Sequence, residues 1–272
     1  GAPVVVAGVT APCASKRLLQ LRSGKTRLVV FRESESLQLA QAQASGFRVN
    51  SARMLLSGDF SFSFQPDAAL LGYWVRHYRT LLLSKFGQQE PWHVLFIRDA
   101  MHLQAGTNAT HLELRVLCDC AIDQVGTQPT RNLVIAKART ILASSDLTAK
   151  GDGELFERLQ RRQQLTADQI FPLHTVEQML GLLGCCGSSS TDATASSVMS
   201  VISDRYHPAM AAHRLGAAVH IIDTKDKNCS GHGGPLYMKL RGACQMISSY
   251  NATATLHLNG VAWERLRQAI MN

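Results

Sequence analysis

Two adjacent cysteines lie in a glycine-flanked segment, Gly184-Cys185-Cys186-Gly187. A cysteine nucleophile needs a histidine that accepts the thiol proton, and small neighbours let backbone N–H groups approach a developing oxyanion. The histidines that could serve are His93, His102, His111 and His174. This chemistry would make the chain a cysteine-dependent hydrolase that uses Cys186 or Cys185.

The same four residues resemble the Gly-x-Cys-Gly surround of the nucleophile in chymotrypsin-like viral cysteine proteases. That resemblance implies a strand-rich double barrel around the cysteine, whereas helical patterns flank the segment on both sides. Free cysteines usually behave as small buried hydrophobes. We therefore expect Cys185 and Cys186 to be core thiols, and the hydrolase is the alternative function.

Five residues with metal-ligating side chains fall between positions 93 and 120: His93, His102, His111, Cys118 and Cys120. Structural zinc sites usually draw ligands from pairs of Cys or His about two to five residues apart, and none of these residues has that spacing. Alternation along 111–120 also places His111 on the opposite face of a strand from the two cysteines. The sequence therefore predicts no metal site, and it carries no cofactor motif.

The first 32 residues contain six basic side chains and no acidic one. Through Arg98 the chain has 12 basic and 5 acidic side chains, whereas the remainder has 16 and 15. Charge polarised in this way attracts polyanions or acidic protein surfaces. We expect the contact residues to flank a turn at Ser23-Gly24; they are Lys16, Arg17, Arg22, Lys25 and Arg27.

These charges make a non-catalytic binding or assembly subunit the leading interpretation. Its expected partner is nucleic acid first and an acidic protein surface second, within a larger assembly. The sequence has no run of about 20 apolar residues, which a membrane span would need, so we expect no membrane contact. The chain begins at Gly1 instead of Met, which we interpret as a processed product, a fragment of a polyprotein or a trimmed chain.

Cysteine usage bears on the compartment. Seven cysteines are an odd number, and the close pairs 118/120 and 185/186 do not suit a compact disulfide framework. We therefore expect reduced thiols and an intracellular location, in the cytoplasm, nucleus or virion. Three N-glycosylation sequons keep secretion open; they begin at Asn108, Asn228 and Asn251.

The apolar content of 46% and charged content of 18% indicate a globular chain. Strand pairs punctuated by helices predict the α+β class, with a mixed or antiparallel sheet in the N-terminal half. Hairpins are expected over 16–31 and 49–64, an apolar helix between Pro66 and Gly87, and strands over 92–97 and 111–120. The segment 133–143 fits either a helix or a buried strand.

The second half is expected to be more helical, with helices over 151–164, 175–183 and part of 198–213. A strand is predicted over 215–223. Alternation of Ala252, Ala254, Leu256 and Leu258 predicts another strand, followed by a closing helix over 261–271. We predict two domains, a basic, hairpin-rich α+β domain over 1–145 and a mainly helical domain over 146–272.

Overall fold

The computed structural model describes most of the chain, in segments: residues 4–9, 26–32, 34–47, 54–57, 66–87, 92–98, 104–105, 110–120, 131–144, 152–162, 165–185, 200–222, 240, 242–244 and 252–271. It confirms the α+β class, because a mixed sheet of parallel and antiparallel strands is combined with helices. The chain forms two compact units, which we call unit 1 (1–65 and 225–272) and unit 2 (66–224).

Unit 1 is built on a three-stranded parallel sheet in the order β1-β2-β3. Its strands are Val4–Val9 (β1), Thr26–Phe31 (β2) and Met54–Leu56 (β3), and its helices Ser34–Phe47 (α1) and Ala252–Met271 (α6). Helix α1 carries the chain back between β2 and β3, so these two strands run in the same direction. Each described strand thus pairs in parallel, and residues 16–25 and 58–64 of the expected hairpins lie outside the described residues.

The core of unit 1 joins the two ends of the chain. Leu28 and Val30 of β2 pack against Ala262 and Leu266 of α6, with Leu55 of β3 at the margin. Residues four apart share one face of a helix, so α6 presents a regular apolar stripe to the sheet. The C-terminal segment therefore folds together with the N-terminal strands.

The predicted strand over residues 252–258 is wrong, because these residues form the first turns of α6. Alternating Ala and Leu resemble a half-buried strand, but Ala and Leu are also among the strongest helix formers. Since the stripe at Ala262 and Leu266 fixes the helix on the sheet, the preceding residues extend it in the same conformation.

Unit 2 is built on an eight-stranded mixed sheet in the order β5-β6-β11-β10-β4-β8-β9, with β7 also paired to β6. Its strands are Gln104–Ala105 (β5), His111–Cys120 (β6), Ala218–Ile222 (β11), Ser200–Ser203 (β10), His93–Phe96 (β4), Thr140–Ser144 (β8), Ile170–Pro172 (β9) and Arg131–Ala136 (β7). The five strands from β11 to β9 are parallel, and β5, β6 and β7 are antiparallel to their neighbours.

Four helices accompany this sheet: Ala68–Phe86 (α2), Gly153–Arg161 (α3), Val176–Gly184 (α4) and Tyr206–Arg214 (α5). The predicted helix starts are confirmed at two caps. The Asp67 carboxylate accepts a hydrogen bond from the Leu70 N–H at 2.8 Å, and Thr175 forms a capping box with Gln178. Residues 133–143, whose sequence fits either a helix or a buried strand, lie mainly in two strands, β7 and β8.

The central strands β4, β8 and β10 are largely buried and apolar in their middle positions, as expected of strands covered on both faces. On one face Leu95, Leu142 and Ile202 pack against Leu155 and Leu159 of α3. This cluster spans residue 145, so the predicted boundary between domains falls inside unit 2. In β6, Leu112, Leu114 and Val116 are buried and Arg115 is exposed, which confirms the predicted alternation.

Helices α2 and α4 cross at a glycine. A Cβ atom placed on Gly181 would lie 2.9 Å from the backbone carbonyl carbon of Trp74. We predict that Gly181→Ala lowers the free energy of unfolding by about 1–3 kcal/mol, because the helices must separate to admit the methyl group. Urea denaturation measures this change.

Gly260 of α6 is the matched control, because nothing lies within 4 Å of the corresponding Cβ position. Gly260→Ala should raise the free energy of unfolding by about 0.5–1 kcal/mol through helix propensity alone. Equal effects of the two substitutions would contradict the close approach at Gly181.

Candidate functional site

Polar side chains gather where β4, β8 and β10 end. We call Ser144, Asp152, Ser203, Asp204 and Arg205 the carboxyl-edge cluster. Ser144 and Ser203 are the last residues of β8 and β10, and Asp152 immediately precedes α3. Because β4, β8 and β10 are parallel, their carboxyl ends lie along the same edge of the sheet.

An ion pair lies at the centre of this cluster. The Arg205 guanidinium donates to the Asp152 carboxylate, and the Ser144 hydroxyl donates to the other oxygen of Asp152. The Arg205 side chain is 18% exposed and that of Asp152 7%, so both charges are largely removed from water. Removing one partner of such a pair leaves an uncompensated buried charge. The pair therefore holds the start of α3 against the end of β10.

The turn after β10 is hydrogen-bonded to the end of β4. The Asp204 carboxylate accepts from the Arg98 N–H at 2.8 Å, and the Asp204 N–H donates to the Phe96 carbonyl at 3.1 Å. The Ser203 hydroxyl accepts from the Arg205 N–H at 2.8 Å. These bonds fix the backbone of both strand ends. Asp204 itself is fully buried.

The cluster lies where the strand order of the sheet reverses. From β4 the sheet continues to β8 and β9 on one side and to β10 and β11 on the other. Open α/β sheets bind ligands outside the carboxyl ends of their strands, where the strand order reverses in this way. Carboxylates there accept hydrogen bonds from hydroxyl groups, and a guanidinium binds anions. Among the described residues, no group of three or more His, Cys, Asp or Glu is placed to hold a metal ion.

His93 lies at the opposite, amino-terminal edge of the same strands. Its Nδ1 lies 2.7 Å from the Ser200 hydroxyl oxygen. Burial, and then the charge of His220, lower the His93 pKa from 6.5 to about 4. An imidazole with this pKa is neutral at pH 7 and is a weak general base. Among the described residues, the hydrogen-bond partner of the His93 ring is the Ser200 hydroxyl.

Cys185 is partly buried, and its thiol contacts backbone carbonyl groups. Its Sγ donates to the carbonyl oxygens of Val75 and Gly181 at 3.0 and 3.2 Å. Burial raises the Cys185 pKa from 9.0 to about 12. Because the thiolate is the nucleophilic form, this thiol is poorly suited to catalysis. Cys186 and His102 lie outside the described residues.

Cys244 corrects the expectation that every thiol is reduced, because it is disulfide-bonded. A disulfide consumes two of the seven cysteines, so at most five thiols remain. The sequence did not show this because the spacing of cysteines along the chain does not reveal which of them meet in the fold. A stable disulfide is typical of an oxidising compartment.

Most of the residues predicted to contact a polyanion lie outside the described residues. Lys16, Arg17, Arg22 and Lys25 are outside the described residues. Arg27 lies in β2, and its side chain is not described. The grouping of these five residues on one surface therefore stays a prediction.

The two units differ in net charge. Unit 1 contains 14 basic and 5 acidic side chains, a surplus of +9, whereas unit 2 contains 14 and 15, a balance of −1. The surplus therefore belongs to one compact unit formed by both ends of the chain. The sequence reading missed the contribution of residues 225–272, which add 6 basic and 2 acidic side chains to unit 1.

His93 gives the site analysis a test in solution. The folded protein keeps this imidazole neutral, whereas the unfolded chain protonates it near pH 6.5. The unfolded state therefore gains protons first, and stability falls as the pH drops from about 6.5 to about 4, by at most about 1.4 kcal/mol per pH unit. We predict that His93→Asn removes this part of the acid destabilisation.

Urea denaturation of both proteins between pH 7 and 4 measures the effect. The unfolding free energy of the wild type minus that of the variant should be constant above about pH 7. At lower pH this difference should decrease, because only the wild type loses stability through His93. A difference that does not change with pH would show that His93 titrates normally in the folded protein.

No protein-family model, curated protein or solved structure matches the chain. Within the described parts of the chain, no helix is long and apolar enough to cross a membrane.

Proposed function

We propose that this protein is a non-catalytic binding or assembly subunit whose unit 1 contacts a polyanion, with nucleic acid as the first candidate and an acidic protein surface as the second. The observation that carries this proposal is the partition of charge, +9 on unit 1 and −1 on unit 2. Five carboxylates cannot neutralise fourteen cations, so unit 1 must have a positive field at its surface. Such a field concentrates polyanions and accelerates their association.

The predicted contact residues remain Lys16, Arg17, Arg22, Lys25 and Arg27, which all belong to unit 1. The alternative, a cysteine-dependent hydrolase, gains no support from Cys185, whose thiol is buried and donates to backbone carbonyls. An enzyme of that class would have to use Cys186.

The proposed location changes with the disulfide. An intracellular protein was expected because its thiols were expected to be reduced, and the bonded Cys244 removes that support. We favour an oxidising compartment, with which the sequons at Asn108, Asn228 and Asn251 agree. A sulfated polysaccharide therefore joins nucleic acid among the polyanions to be tested.

The carboxyl-edge cluster supports a second candidate function, binding of a small hydroxyl-bearing ligand such as a nucleotide by unit 2. The specific observation is the reversal of strand order beside β4, where Asp204 and Arg205 follow β10. This function is compatible with the first, because the two involve different units.

Salt dependence tests the polyanion proposal. Binding of a labelled DNA duplex, measured by fluorescence anisotropy, should weaken as salt rises, with a log–log slope of about −0.9 for each phosphate contacted. Arg22→Ala combined with Lys25→Ala should flatten that slope by roughly two units. Circular dichroism checks that the variant folds.

Arg161→Ala combined with Arg162→Ala is the matched control, because both residues are exposed on unit 2. This pair should leave the slope unchanged. Absence of binding at low salt, or equal effects of the two pairs, would contradict the proposed role of unit 1.

Thermal unfolding with a panel of nucleotides tests the second candidate. A ligand present at about 100 times its dissociation constant should add about 2.7 kcal/mol of stability. Arg205→Lys should reduce that increment, because its guanidinium is 18% exposed at this edge, whereas Arg162→Lys, at an exposed position of unit 2, should not. A panel that shifts neither the wild type nor the variants would count against a nucleotide site.

A further inference from the structure

Strand β7 lies at an edge of the sheet of unit 2. It pairs with β6 on one side, in an antiparallel register that runs from Arg131 opposite Val116 to Ala136 opposite His111. On its other side it pairs with no strand among the described residues. The edge of a sheet presents backbone N–H and C=O groups with which another chain can pair.

The register with β6 determines which groups of β7 point outwards. The Lys137 N–H donates to the Thr110 carbonyl at 2.9 Å, and in an antiparallel ladder every second residue back to Arg131 bonds to β6 in the same way. The residues between them direct their N–H and C=O groups away from β6; they are Asn132, Val134 and Ala136. The Ala136 carbonyl accepts from the Thr140 hydroxyl at 2.8 Å, so the open edge ends there.

The side chains of β7 do not protect this edge. Proteins shield edge strands by short length, charged residues, proline or bulges. β7 has six residues in a regular register, with neither proline nor a charged residue from Asn132 to Ala136. Val134 is 58% exposed. The strand at the other end of the sheet differs, because β9 has three residues and ends in Pro172.

The charges at the ends of β7 indicate the chemistry of a partner. Arg131 begins the strand and Lys137 follows it, so both ends are basic. Glu113, which lies opposite Val134 on β6, already accepts a hydrogen bond from the Asn132 amide at 2.9 Å. Opposite charges on neighbouring strands attract when they face each other. A strand added to β7 is therefore favoured when its own ends are acidic.

A second copy of this chain fits the edge less well. If two β7 strands overlapped along their whole length in antiparallel register, Arg131 of one copy would lie opposite Lys137 of the other at both ends. Like charges directly opposite each other destabilise a sheet. An acidic segment meets no such repulsion in either direction, because the two ends of β7 carry charge of the same sign.

We propose that the open edge of β7 binds an extended segment of a partner protein by strand addition, and that this segment is apolar in its middle and acidic at both ends. In this mode of recognition, main-chain hydrogen bonds supply affinity and alternate side chains supply specificity. The site belongs to unit 2, so it does not depend on the polyanion function proposed for unit 1.

Binding of a labelled peptide to the full chain, measured by fluorescence anisotropy, tests the site. The probe is a heptapeptide with glutamate at both ends and alternating valine and threonine between them. The control probe has lysine in place of each glutamate. The glutamate peptide should bind, and the lysine peptide should bind at least about threefold more weakly, because its ends face charges of the same sign.

Val134→Pro removes an outward N–H, whereas the N–H groups of Leu133 and Ile135 keep their bonds to β6. It should weaken binding of the glutamate peptide at least about threefold, through loss of a hydrogen bond. Val134→Thr is the matched control. It keeps the N–H and the β-branched side chain, and should bind the peptide as the wild type does. Circular dichroism checks that both variants fold.

Amide hydrogen exchange of the wild type, followed by NMR, needs no variant. The N–H groups of Asn132 and Val134 should exchange faster than those of Leu133 and Ile135 in the free protein, and the glutamate peptide should slow them. Failure of the glutamate peptide to bind or to slow these amides would overturn the proposal, as would equal losses in Val134→Pro and Val134→Thr. A dimer in sedimentation velocity that Val134→Pro converts to a monomer would identify a second copy as the occupant and would also overturn it.

Discussion

The packing of α6 against β2 is the contact on which the account depends. Leu28 and Val30 meet Ala262 and Leu266, residues more than 230 positions apart in the chain. The contact packs the C-terminal helix of residues 225–272 against the N-terminal strands within unit 1. It also sets which side of α6 faces the sheet.

The two units differ in how many of their charged side chains can pair with an opposite charge. Unit 2 pairs much of its charge internally, in the buried Asp152–Arg205 pair and in surface pairs along α3 such as Glu157–Arg161 at 3.5 Å. Its buried pair costs desolvation energy and serves to hold strand ends and helix together. Unit 1 has too few carboxylates for such pairing. This excess of positive charge is why we propose that unit 1 contacts the polyanion.

Local patterns in the sequence were sufficient where the cause is local. Alternation identified β6, and the spacing of apolar residues identified the helix between Pro66 and Gly87, because a strand face or a helix stripe depends on residues only two to four apart. The sequence also showed that the surplus of basic residues is concentrated towards the N-terminus. The strand at 252–258 was predicted wrongly because Ala and Leu suit both structures, and packing beyond the segment decides between them.

The candidate sites needed the fold. Asp152 and Arg205 are 53 residues apart and carry no motif, and they meet only because β8 and β10 end at the same edge of the sheet. Gly181 has no unusual neighbours in the sequence, and its importance comes from Trp74 on another helix. Likewise, membership of residues 225–272 in unit 1 depends on long-range packing, so the full charge surplus could not be read from the N-terminal third.

Hydrogen–deuterium exchange with and without a bound DNA duplex tests the central claim most directly, because it locates a ligand without substitutions. The account predicts slower exchange in peptides from residues 1–65 and 225–272, where the positive charge lies. Peptides from 66–224 should exchange at the rate of the free protein. Protection confined to residues 66–224 would contradict the assignment of binding to unit 1.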